Sequence, residues 1–124
     1  MAKVLIVDDE FGSRDSSQAL LEVEGFEVEV AASGREALEL QQRFQPDVLV
    51  VDRILGGEID GMEVVKLSRD VDPKLPVVVI TGYVSAELEA QIESMPLVQC
   101  MLKPIPPEEF IEAVRKASQH RAVQ

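Results

Sequence analysis

Four short apolar runs in this chain each end on a polar residue with chemistry of its own. Val4-Leu5-Ile6-Val7 leads into Asp8-Asp9, and Val48-Leu49-Val50-Val51 leads into Asp52. Val77-Val78-Val79-Ile80 leads into Thr81-Gly82, and Cys100-Met101-Leu102 into Lys103-Pro104. Continuous, largely β-branched runs are the pattern of strands buried on both faces of a parallel sheet. A fifth run differs, with Phe26, Val28 and Val30 alternating with Glu27 and Glu29. That alternation marks a half-exposed edge strand. Strands are expected at 3–8, 26–31, 47–52, 76–81 and 97–102. Helices are expected at 12–24, 34–44, 61–71, 85–94 and 107–119.

Helical spacing gives three core-facing stripes: Ala37, Leu40 and Phe44; Val84, Leu88 and Ile92; and Phe110, Val114 and Ala117. Ser33 with Glu36, and Asp60 with Glu63, have capping-box spacing. Gly25 is placed to stop the first helix, and Pro106 and Pro107 to set the entry of the last. Strand and helix signals alternate five times, the signature of an α/β fold with a parallel sheet. With the second strand at an edge, the expected fold is a flavodoxin-like (βα)5 doubly wound sheet of order 2-1-3-4-5. In such sheets the ligand site lies beyond the carboxyl ends of the strands. Asp8, Asp9, Asp52, Thr81 and Lys103 all stand there.

The chain's 124 residues fit one domain with a single core. Residues 1–119 are expected to form it, with 120–124 as a frayed tail that contains His120. The first strand starts at Lys3, leaving no room for a secretory signal, and the lone cysteine cannot form a disulfide within the chain. Apolar runs fall far short of the ~20 residues that span a membrane. A cytoplasmic protein is the expectation. The net charge of −11 argues against direct nucleic-acid binding, which draws its affinity from Lys and Arg at phosphates.

The rim is costly. Two carboxylates about 4 Å apart repel by about 4 kcal/mol at an effective dielectric of ~20. A cluster of three persists if it holds a cation, takes up a proton, or splays apart. An all-oxygen donor set suits Mg²⁺, Mn²⁺ or Ca²⁺ rather than zinc, and so few carboxylates suit Mg²⁺ that keeps several waters. A carboxylate beside such an ion, an ammonium and a hydroxyl is also equipped to accept a phosphoryl group. Asp52 stands alone and is the natural acceptor, whereas Asp8 and Asp9 form a pair suited to metal.

Together Asp8-Asp9-Glu10, Asp52, Asp60-Gly61, Thr81-Gly82 and Lys103-Pro104, in that order and spacing, resemble the receiver (response-regulator) domain of two-component signalling across essentially the whole chain. The resemblance implies that Asp52 takes a phosphoryl group from the phosphohistidine of a histidine kinase or phosphotransfer domain. It implies Mg²⁺ on Asp9, Asp52 and the Ile54 backbone carbonyl, with Asp8 acting through water. Lys103 would pair with phosphoryl oxygens, and Thr81 would swing toward the new phosphate. It further implies a cis peptide before Pro104, and a surface of the fourth helix, fifth strand and fifth helix that signals to an output domain or protein.

Three positions depart from that family's pattern. Cys100 replaces a common aromatic, which puts the usual Thr–aromatic coupling in doubt and makes Tyr83 a candidate gate. Gly56-Gly57 follow Asp52 where a proline usually sits, and Asp60 comes one residue late, so a looser loop and an altered phosphate lifetime are expected. Ser13, Ser16 and Ser17 occupy positions of the first helix that are often aliphatic, with consequences for partner choice. Glu10 and Arg53 adjoin the site, while Glu87, Glu89 and Glu93 form the wet face of the fourth helix. Cys100 reads as a small buried hydrophobe rather than a reactive thiol.

The leading reading is a signalling module, not an enzyme acting on external substrates. Its rivals are a phosphorylation-independent receiver-like interaction module and an Asp-nucleophile phosphohydrolase of the haloacid-dehalogenase type. The hydrolase would carry Asp-x-Asp on its first strand, whereas Asp8 and Asp9 are adjacent. A flavodoxin would need a phosphate loop rich in Ser, Thr and Gly in place of Asp8-Asp9-Glu10.

Overall fold

The apolar runs become five strands: β1 (Lys3–Val7), β2 (Glu27–Ala31), β3 (Val48–Asp52), β4 (Val77–Thr81) and β5 (Val98–Leu102). Between and after them lie α1 (Phe11–Val23), α2 (Gly34–Phe44), α3 (Gly61–Val71), α4 (Ala86–Glu93) and α5 (Pro107–Ala122). The computed structural model describes residues 1–122. All strand pairs are parallel, in the order β2-β1-β3-β4-β5. The sequence expectation of a flavodoxin-like sheet with β2 at one edge is met.

Alternate residues of the inner strands feed two cores on opposite faces of the sheet. Leu5, Val7, Leu49, Val51, Val77 and Val79 pack against Ala37, Val64 and Leu88 of α2, α3 and α4. Val4, Ile6, Val48, Val50 and Val78 pack against Leu21, Phe110 and Val114 of α1 and α5. Both sides are therefore apolar along β1, β3 and β4, which is why those strands show no alternation in sequence. In β2, Glu27 and Glu29 are exposed while Val28 is buried. Of the stripe expected on the fourth helix only Leu88 is fully buried, with Val84 and Ile92 half-buried.

Asp60 and Glu63 form the reciprocal capping box of α3. At α2 the reciprocity shifts: the Glu36 N–H donates to Ser33 Oγ at 3.2 Å, but Glu36 Oε1 accepts from the Ala32 N–H, not from Ser33. The last helix, expected to end at 119, continues to Ala122. The cause is tertiary: Arg121 donates both guanidinium arms to Asp72, just past α3. His120 is thus an exposed residue on an ordered helix, and residues 123 and 124 of the expected tail lie outside the described residues.

Candidate functional site

Strand register assembles the site. Val7 pairs with Val51, so Asp8 follows beside Asp52. Asp52 pairs with Ile80, and Thr81 pairs with Leu102, so Thr81 and Lys103 arrive one step further along the same rim. Loop hydrogen bonds continue the ladder there: the Arg53 N–H donates to the Ile80 carbonyl (2.8 Å) and the Lys103 N–H to the Thr81 carbonyl (2.8 Å). The Lys103–Pro104 peptide is cis.

Lys103 Nζ donates to Asp52 Oδ2 at 2.8 Å. Asp52 Oδ1 accepts the Ile54 N–H at 3.2 Å. The Lys103 ammonium is held above its ordinary pKa, first by that hydrogen bond to Asp52, against desolvation, with the charges of Asp52, Asp8 and Glu10 adding attraction. Asp8 is buried, only 7% exposed. One of its oxygens accepts the Glu10 N–H at 3.0 Å, and its carbonyl accepts from Arg14 at 2.9 Å. Glu10 in turn caps α1.

Asp9 is exposed and turned toward the β3–α3 loop, where its Oδ2 accepts the Gly56 N–H at 2.7 Å. The convergence of three carboxylates anticipated from sequence is therefore not a closed ligand set. Among the described residues no three acidic, His or Cys side chains are gathered closely enough to hold an ion. The donors that share the rim are nonetheless all oxygen, the chemistry that suits a hard divalent cation. Asp8 and Asp52 lie side by side at the ends of β1 and β3, whereas Asp9 is turned onto the Gly56 N–H.

Thr81 is buried, and its hydroxyl is engaged in a tight turn. It donates to the Tyr83 carbonyl (2.9 Å) and accepts the Tyr83 N–H (3.2 Å). Tyr83 projects into solvent, 70% exposed. Cys100 packs at the edge of the α2–α4 core. Burial pushes its thiol above the usual value, outweighing the charge of Arg53, so it carries little thiolate and reads as a hydrophobe.

One contributor escaped sequence reasoning, and a second was seen without its role. Arg14 ties α1 to the strand end through the Asp8 carbonyl. Gly61 serves by lacking a side chain: a Cβ there would meet the Asp52 carbonyl oxygen at 2.3 Å and Arg53 Cα at 2.6 Å. Its N–H donates to the Arg53 carbonyl at 3.0 Å, so α3 is seated directly on the backbone that presents Asp52. The Asp60-Gly61 pair was visible in sequence, but its close approach was not.

A groove of about 520 Å³ opens beside Lys103, between α1 and the start of α5, lined by Ser13, Ser16, Ser17, Leu20, Ile105 and Phe110 among others. Among the described residues no helix is long and apolar enough to cross a membrane.

Comparison with known proteins agrees with this geometry. The family profile described as "Response regulator receiver domain" matches residues 4–115. Sporulation initiation phosphotransferase F of Bacillus subtilis is 29% identical over 114 residues, covering 92% of this chain and 91% of that protein. Regulatory protein AtoC of Escherichia coli is 32% identical over 98% of this chain, which spans only 26% of AtoC. Among solved structures, the chemotaxis protein CheY4 of Vibrio cholerae superposes with a TM-score of 0.87 at 32% identity, covering 94% of this chain and 98% of that one. With its strand order, its rim of acids and its matched span, this chain belongs to the response regulator receiver domains of two-component signalling.

Proposed function

We propose that this domain is a phosphorylation-controlled switch in which Asp52 is the acceptor. One observation supports it most directly: Lys103 Nζ sits 2.8 Å from Asp52 Oδ2, at a rim that also presents Asp8 and Asp9. An Asp52 oxygen attacks the phosphorus of a phosphohistidine; the P–N bond breaks as the P–O bond forms, and the imidazole leaves with the electron pair. Lys103 then pairs with phosphoryl oxygens, taking up charge as it transfers. Asp8, Asp9, Asp52 and the Ile54 carbonyl would hold Mg²⁺ (or Mn²⁺), which supplies further neutralisation of the phosphoryl group.

For Thr81 to donate to the phosphoryl group, it exchanges its bond to the Tyr83 carbonyl, and the β4–α4 loop moves with it. That movement carries the change to the surface of α4, β5 and α5, where Glu87, Glu89 and Glu93 are exposed. In the cytoplasm the phosphodonor, a histidine kinase or phosphotransfer domain, docks over the groove lined by Ser13, Ser16 and Ser17. The receiver acts as a signalling module rather than on external substrates, and an output domain or protein reads it.

Incubation with acetyl phosphate and Mg²⁺ should leave a hydroxylamine-labile phosphate on the wild-type chain and none on Asp52→Asn. Equal labelling of both would remove Asp52 as acceptor. No labelling of either, with partner binding intact, would favour the phosphorylation-independent module, and steady turnover of a phosphate ester the hydrolase.

A further inference from the structure

Asp9 is the one rim carboxylate whose side chain is anchored outside the strand ends. Its Oδ2 accepts the Gly56 N–H at 2.7 Å, joining residues 47 apart in the chain. Both residues are exposed, and Gly57 beside them sits at φ 103, a left-handed backbone that a glycine adopts without strain. Asp8 is fixed by the N–H of its own turn, and Asp52 by Lys103 and the Ile54 N–H. Only Asp9 is held by the β3–α3 loop, and with it there no three-acid ligand set exists among the described residues.

We propose that the Gly56 N–H is a latch on Asp9, so that a divalent cation and the β3–α3 loop compete for one carboxylate. The inference rests on the metal-binding reading above and deepens it. A cation recruiting Asp9 frees the Gly56 amide to solvent and unties the loop that leads into α3. Metal occupancy is thereby written into loop conformation before any phosphoryl group arrives. The latch needs a donor at position 56, so proline would abolish it, whereas alanine would keep it. An alanine Cβ would meet Asp9 Oδ2 at 3.1 Å, a contact that a flexible carboxylate relieves by moving a few tenths of an ångström.

The test is titration of the isotopically labelled full chain with Mg²⁺, followed at backbone amides by NMR. The Gly56 amide resonance should move upfield and its hydrogen exchange accelerate in step with metal saturation. Gly56→Pro should bind Mg²⁺ about fivefold more tightly than wild type, the size of one ordinary hydrogen bond, while Gly56→Ala should stay within about twofold. Magnesium binding by the wild type that leaves the Gly56 amide unmoved, and that is lost in Asp52→Asn, would overturn the latch and leave the metal site standing. Equal affinities for the proline and alanine variants would also overturn it. Absence of binding in wild type with binding in Gly56→Pro would support it most strongly, and absence in all three would overturn both readings. Should the proline variant not fold, the wild-type amide decides alone.

Discussion

The two ends of the sheet handle charge in opposite ways. At the end where strands begin, charged groups are tied by side-chain cations and carbonyls from distant elements. Asp72 is gripped by Arg121, Arg69 donates to the Pro73 and Pro96 carbonyls, and Lys3 binds Asp47 and Phe44 through its N–H and ammonium. At the end where strands finish, Asp52 alone of the three aspartates bonds a lysine, and each of the three leans on a backbone N–H group. The first arrangement closes the structure. The second leaves acids under-compensated, so that an incoming cation or phosphoryl group meets partners it can displace. Stability and reactivity are thus segregated along the strand axis.

The most damaging way to break the comparison is to disturb the seat beneath the reactive end. Gly61→Ala places a methyl 2.3 Å from the Asp52 carbonyl oxygen, against backbone that cannot rotate away. It should destabilise the domain by about 2–3 kcal/mol in urea unfolding, and lower phosphate labelling as Asp52 shifts. A loss well below this would mean that α3 slides without cost.

Next is the closed end. Arg121→Ala should cost about 1 kcal/mol, since the pair with Asp72 is only partly sheltered. The pH sign can be worked out. The hydrogen bond from Arg121 lowers the Asp72 pKa, against desolvation, so its contribution is present above the ordinary carboxylate value and fades as pH falls through the lowered one. Unfolding midpoints of wild type and Asp72→Asn should therefore converge in acid. A constant gap would show that the contact is not ionic.

Smallest should be Lys103→Met, at about 0.5 kcal/mol or less, because the lysine side chain is 43% exposed. Here the sign reverses. Asp52 raises the lysine pKa, so stabilisation is full below the ordinary lysine value and is lost as pH climbs through the raised one. The same substitution should nevertheless cut phosphate labelling severely. A large stability loss with little effect on labelling would invert the assignment of the two ends.

Much of this was legible in the residues. Unbroken runs such as Val77–Ile80 have the pattern of strands covered on both sides, and the alternation around Val28 that of an edge, which matched a flavodoxin-like sheet order. Each reactive residue closed a strand, which placed Asp52, Thr81 and Lys103 on one rim. Less legible was how those side chains engage. The full length of α5 depended on Arg121 meeting Asp72, 49 positions away in the chain. The splay of the acids depended on Asp9 meeting the Gly56 amide rather than its neighbours.

By itself, then, the sequence determined the fold, the rim and the types of group gathered there, because periodicity and strand termini are local properties of a chain. Tertiary structure alone decided which lone pairs are occupied, how closely Gly61 approaches Asp52, and where α5 ends. Those depend on distances between segments remote in sequence, and a hydrogen bond is made or lost within a few tenths of an ångström.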